Sequence, residues 1–146
     1  MHLNAFGEIV QKHWHELPSH YPHVHLDAFV IMPNHIHGIL VLLDAGAPSM
    51  HLVGAGFETR PYKNPASRDH QRHALPEIVR GFKTYSARAI NSARGTPGVP
   101  VWQRSFYDHV IRDERSLHSI REYIAENPAR WAEDRENPAG PLHSPQ

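Results

Sequence analysis

The sequence predicts an α+β domain in which helices cover an antiparallel sheet, and three observations lead there. Residues 4–17, "NAFGEIVQKHWHEL", set Phe6, Ile9, Val10, Trp14 and Leu17 at helical spacing. Residues 25–43 read as two strands joined at Pro33-Asn34, a two-residue turn signal. Both strands are apolar on both faces near their centres, so they belong inside a sheet with helices against it.

Each element follows in order. Asn4 is suited to cap the first helix, and Pro18 with "SHYPH" breaks its pattern. Residues 25–32 suit a strand, and 35–43 suit the returning one. Residues 44–75 are rich in Gly, Pro, Ala, Arg and His without sustained period, and predict a long loop or insertion. Pro76 fits the first turn of a second helix, whose apolar face is Ile78, Val79, Phe82, Tyr85 and Ala89, running to about Ala93. "GTPGVP" is a turn, and residues 101–111, "VWQRSFYDHVI", suit an approach segment and a short strand. A last helix begins near Asp113 or Glu114, turns Leu117, Ile120 and Ile124 to the core, and ends at Asn127-Pro128. "ARWAEDRENPAGPLHSPQ" reads as a tail, flexible over 139–146.

Composition narrows the function classes. The chain has 146 residues, no cysteine and a formal net charge of zero. Disulfides and thiolate metal sites are therefore excluded, and one domain in a reducing cytoplasm is the expectation. No apolar run spans a bilayer and no signal pattern opens the chain, so no membrane partner is expected. The balanced charge hides a basic middle: Arg80, Lys83, Arg88, Arg94, Arg104, Arg112, Arg115 and Arg121 face only Asp108, Asp113 and Glu114. Such a stretch can track a phosphate backbone, although a solvated face is the commoner meaning. Trp102, Phe106 and Tyr107 are candidates to stack on unpaired bases, against the alternative that they pack in the core.

"IMPNHIHGILVLL", residues 31–43, raises the chemical question. His35 and His37 are two apart on a strand and share one face, the spacing for two imidazoles to grip one cation. Two half-buried, hydrogen-bonded histidines are the structural alternative. On the last helix Tyr123 and Asn127 are four apart, hence neighbours on a face offset from the Leu117–Ile120–Ile124 stripe. Two imidazole nitrogens and an amide oxygen make an incomplete shell suited to Mn²⁺ or a later divalent metal, with positions left for water and a phosphate oxygen. A metal there would polarise a scissile phosphate, and Tyr123 would attack it to give a covalent phosphotyrosine.

These residues also carry a family resemblance. "FVIMPNHIHGILVL" resembles the His-hydrophobic-His (HUH) motif of single-tyrosine DNA transposases. "VWQRSFYDHVIRDERSLHSIREYIAENPARW" resembles the C-terminal half of the REP-associated tyrosine transposases, and "ALPEIVRGFKTYSARAIN" their middle helix. The resemblance runs from about Leu3 to Pro138, which makes 1–138 a single HUH domain. It implies that His35 and His37 bind Mg²⁺ or Mn²⁺ with Asn127, that Tyr123 is the nucleophile, and that single-stranded or hairpin DNA is cut to a 5′-phosphotyrosine. Arg80, Lys83, Arg88, Arg104 and Arg112 are the expected DNA-binding residues. Tyr85, which looks like core, is the competing nucleophile.

The fold implied is ferredoxin-like, and relatives act either as monomers or as homodimers. Family members usually carry, ahead of the first helix, a strand resembling "FHVT" that lies beside the histidine strand. Here the chain opens at "MHLNAFGEIV", at that helix, so the expectation is a sheet lacking its first strand and a histidine strand with an exposed edge. The alternative function is accordingly a truncated, inactive DNA-binding remnant. A histidine-rich metal-binding or hydrolytic protein unrelated to DNA is a third reading, disfavoured because no carboxylate stands near the H-x-H apart from distant Asp27.

Overall fold

A computed structural model of the protein describes residues 3–43, 48–56 and 74–133. The chain runs α1 (Ala5–His15), α2 (Leu17–His20), β1 (Val24–Ile31), β2 (His35–Leu42), β3 (Ser49–Gly56), α3 (Ala74–Arg94), β4 (Tyr107–Ile111) and α4 (Glu114–Glu126), then a 3₁₀ turn at Trp131–Glu133. The four strands make one antiparallel sheet in the order β1-β2-β3-β4. This is the α+β architecture that the sequence predicts.

Local signals set the ends of the elements. The Asn4 side-chain oxygen accepts from the Gly7 N–H at 2.8 Å and caps α1. Pro18 does not end helical structure; it sits in the first turn of α2, where its missing N–H costs nothing. The Met32 N–H donates to the His35 carbonyl at 2.7 Å across the Pro33-Asn34 turn. Asp113 caps α4 by accepting from the Ser116 N–H at 2.7 Å.

Strand alternation sorts side chains into two apolar layers. Ile36, Leu40 and Leu42 of β2 join Val53 and Ala55 of β3 beneath α1 and α3, with Val10, Trp14, Leu17, Ile78, Val79 and Phe82. Ile39 and Leu52, with Ile111 of β4, lie on the other face under Ile124, Leu117 and Ile120 of α4. In β1 a bulge between Leu26 and Phe29 inserts one residue, so Leu26 and Phe29 both face α1 and α3 while Ala28 and Val30 face α4. Ser49, His51 and Asp108 brace β3 against β4, with hydrogen bonds of 3.2 and 3.0 Å to the His51 ring.

Two expectations are corrected. Residues 49–56, within the stretch expected to be a loop over 44–75, form β3. "SMHLVGAG" hides it because two glycines and an alanine lower strand propensity; pairing with β2 and β4 on both sides supplies what propensity does not. β3 pairs with β2 on the side away from β1, so the histidine strand is interior and has no exposed edge. Tyr85 is not core: it is 54% exposed, and Ser86 is the buried residue of that turn. The Ser86 hydroxyl is satisfied, donating to the Phe82 carbonyl at 2.6 Å and accepting from the Trp102 indole N–H at 2.9 Å. Residues 44–47, 57–73 and 139–146 lie outside the described residues, so most of the expected loop and the flexible tail do too.

α4 is anchored to β1 at the bulge. The Asp27 carboxylate accepts from Arg121 Nε at 2.8 Å and from Nη2 at 2.6 Å. Arg121 holds the Asp27 carboxyl below its usual range, helped by the Ala28 N–H and opposed by burial. A folded-state pKa below the unfolded value of ~3.9 gives stabilisation that is present above about pH 4 and lost as pH falls through the folded value. Urea midpoints should therefore drop more steeply on acidification below about pH 4 in the wild type than in Asp27→Asn. Parallel pH profiles would show that the pair does not hold α4.

Candidate active site

β2 carries its two histidines just past the point where the α4-facing core stops. His35 and His37 share the face of Ile39, and where Ile39 meets Ile124, His37 meets Tyr123 one helical position away. The rings of His35 and His37 lie 4.7 Å apart, nearly perpendicular at 77°, and the His37 and Tyr123 rings 5.5 Å apart. Trp131, on the turn after α4, lies 6.1 Å from the His35 ring. The chain after α4 is thus not all tail; its first residues return over the histidines.

These groups line one cleft of ≈ 820 Å³, with walls of unequal origin. On one side stand His35 and His37, Tyr123 of α4, its C-cap Asn127, and Arg130 on the turn that follows. Gly54 and Gly56 of β3 lie along the middle, opposite His37 and His35 respectively. Gln103, Ser105, Phe106 and Tyr107 form the far wall. Among the described residues that line the cleft there is no Asp or Glu.

The far wall is an irregular segment moored from below. Lys83 of α3 reaches it with its ammonium and donates to the carbonyls of Gln103 at 2.8 Å and Ser105 at 2.7 Å. Burial lowers the Lys83 pKa to about 8. The Gln103 N–H donates to the Gly56 carbonyl at 2.8 Å, and buried Trp102 anchors the segment to Ser86. Lys83, expected to bind DNA, is therefore occupied in holding the cleft wall.

The remaining expected DNA contacts separate by position. Arg80 and Arg88 are exposed on α3, which packs on the sheet face opposite α4, so they do not line the cleft. Arg112 follows Ile111, at the end of β4 remote from the histidines: Ile111 pairs with Met50, whereas Tyr107 pairs with Gly54 beside His37. Arg104 is exposed next to the wall residues Gln103 and Ser105. Arg130, which sequence reasoning missed, does line the cleft, paired with Glu126 at 3.0 Å. Its signal was available: it lies three residues beyond Asn127, one further turn along the same side. Tyr85, the competing nucleophile, stacks on His20 at 6.2 Å in the α1–α3 layer.

The donor set fits a divalent cation. The His35 Nδ1 lies 2.6 Å from the Asn34 side-chain oxygen; with the proton on Nδ1 to make that hydrogen bond, Nε2 would be the nitrogen offered to a cation. Asn127 is 3% exposed, and its amide nitrogen finds no hydrogen-bond partner among the described residues. A half-turn of that amide exchanges its oxygen and nitrogen, so one side chain can offer either to a ligand. No group of three or more His, Cys, Asp or Glu that could hold a metal ion occurs among the described residues; beside His35 and His37 the cleft offers the side-chain amide of Asn127.

The sequence is similar to that of an uncharacterized protein from Haemophilus influenzae strain Rd: 38% identical over 136 residues, covering 92% of this chain and 71% of the relative. The two belong to one family. No family model matches the sequence, and no solved structure matches the fold. No helix among the described residues is long and apolar enough to cross a membrane.

Proposed function

We propose that the protein is a metal-dependent endonuclease and strand transferase of single-stranded DNA, a transposase-type HUH enzyme that works through a tyrosyl intermediate. One observation carries the reading. His35 and His37 from β2, Tyr123 from α4 and Asn127 at its C-cap, far apart in the sequence, meet in a single cleft. A ferredoxin-like description of the sheet belongs with this reading, as do a hairpin-containing substrate and a cytoplasmic setting.

His35, His37 and Asn127 would hold Mg²⁺ or Mn²⁺, and the ion would supply Lewis-acid polarisation and alignment of the phosphate. The protein's own groups do the rest. The Tyr123 oxygen attacks phosphorus; a P–O(Tyr) bond forms, the P–O3′ bond breaks, and the strand leaves with a free 3′-hydroxyl. The tyrosyl phosphodiester keeps the energy of the bond it replaces, so attack by another 3′-hydroxyl rejoins strands without ATP. Arg130 adds positive charge along the strand's path. The pairing of β3 with β2 beside the histidines supports the active reading over the inactive remnant.

The test is a denaturing gel of the protein with labelled hairpin-bearing single strands and Mn²⁺. A covalent band is expected, abolished by chelator. Trypsin cuts after Arg121 and Arg130, and the peptide between them, "EYIAENPAR", contains one tyrosine. The nucleotide mass should map to that peptide. Metal-independent DNA binding with no covalent band would return the remnant reading.

A further inference from the structure

The floor of the cleft is the stretch of β3 that has no side chains. On the face toward α4, β3 presents Met50 and Leu52 to the core and then Gly54 and Gly56 to the cleft. Across the sheet, His37 pairs with Gly54 and Gly54 with Tyr107, so one row reads His37, glycine, Tyr107. A Cβ built on Gly54 would stand 3.2 Å from His37 Nδ1 and 3.5 Å from the Tyr107 Cβ, already filling the row. β2 and β4 are two strand spacings apart, about 10 Å. The result is a trough floored by backbone, with an imidazole on one bank and a phenol on the other.

Tyr107 is 58% exposed, although it is a large aromatic at a strand start with core available nearby. It stands over an open trough beside half-buried Phe106. A second observation points independently to a ligand in the same cleft: the buried Asn127 amide nitrogen has a hydrogen to donate and no acceptor among the described residues. A flat, polar-edged group that stacks on a phenol and brings acceptors with it satisfies both. An unpaired nucleobase with its phosphate has that chemistry.

We propose that a nucleotide flanking the scissile phosphate crosses the glycine floor at Gly54, with its base stacked on Tyr107 and its phosphate toward Asn127. This rests on the nuclease reading of the site and adds to it a subsite outside the histidine–tyrosine set. It also assigns β3 a role: its two glycines keep the trough open. Readout by stacking tolerates any base, so this subsite sets the requirement for an unpaired nucleotide, not the sequence preference.

The test uses the full chain, in chelator so that no strand is cut, and hairpin-bearing oligonucleotides with 2-aminopurine placed at one position at a time on either side of the mapped cut. One position should show fluorescence quenching on binding. Tyr107→Ala should abolish that quenching and weaken binding roughly 5- to 100-fold, as loss of one base–aromatic stack does. Tyr107→Phe should retain both, which separates stacking from any role of the hydroxyl. Gly54→Val should weaken binding while the melting temperature of the free protein shows it folded; Gly54→Ala serves if the larger side chain unfolds it. Quenching that is indifferent to Tyr107 at every position would overturn the stacking proposal, while the adduct on "EYIAENPAR" would keep the nuclease reading. Absence of both binding and adduct would remove the two together.

Discussion

Tyr123→Phe should abolish the covalent DNA adduct and lower strand cleavage on the order of 10⁴-fold or more, the scale seen when a covalent nucleophile is deleted. The substitution removes one oxygen and little else. Tyr123 is 47% exposed on α4, and its ring, which a phenylalanine preserves, makes the contact with His37. The melting temperature should therefore stay near the wild-type value and binding of uncut strand in chelator should be unchanged. That combination identifies a nucleophile and not a packing residue. Tyr107→Phe is the matched control, because Tyr107 is the other phenol lining the cleft. It should keep the adduct. If Tyr123→Phe retained the covalent band and Tyr107→Phe lost it, the roles of the two phenols would be exchanged.

His35 and His37 extend that comparison. Alanine at either should reduce cleavage and raise the Mn²⁺ concentration needed for half-maximal rate, since one of two imidazole donors is gone. Tyr123→Phe should leave metal dependence of DNA binding as it is. A nucleophile and a metal ligand thus fail in different ways in the same assay, and the pattern assigns each side chain without reference to any relative.

The parts of the cleft that lie on regular elements were legible because periodicity fixes faces. His35 and His37 two apart on a strand must share a side, and Tyr123 and Asn127 four apart on a helix must also. What links the two pairs is not periodic. It is the sheet parity that points β2's odd-numbered residues at α4, established only when the strands pair. The floor and far wall were illegible for two separate reasons. β3 has too much glycine to announce itself, and Gln103 to Phe106 owe their position to Lys83, which reaches up from α3, and to Trp102, which reaches down to Ser86. Lys83 in particular reads as a solvated cation by sequence, because nothing local shows that main-chain carbonyls await it 20 residues on. Tyr85 misled for the opposite reason: its spacing suits the core, but Ser86, satisfied by the Phe82 carbonyl and the Trp102 indole, occupies that turn.

The largest effect on stability is expected beneath the histidines, at Gly38. Gly38 lies between His37 and Ile39 on β2, with its missing side chain toward α1. A Cβ built there falls inside the Trp14 indole and comes within 3.1 Å of the Phe29 ring. The indole cannot swing aside: it stacks on Phe29 at 4.4 Å and meets Phe82 edge-on at 5.6 Å. Gly38→Ala should therefore cost about 1–3 kcal/mol by overpacking, and Gly38→Val more. Trp14→Phe removes the outer ring that the new methyl strikes. It also removes a buried indole N–H that has no partner among the described residues, whose burial is itself unfavourable by ~1–3 kcal/mol. The single Trp14→Phe change should then cost less than its lost volume suggests, and Gly38→Ala should be much milder in that background. A double-mutant cycle by urea denaturation reads this as a coupling of at least about 1 kcal/mol. Additive costs would mean that the indole yields to the methyl. The cycle bears on chemistry too, since strand β2 sets the spacing of His35 and His37. If overpacking lifts β2, Gly38→Ala should weaken metal-dependent cleavage more than uncut-strand binding, and Trp14→Phe should restore both.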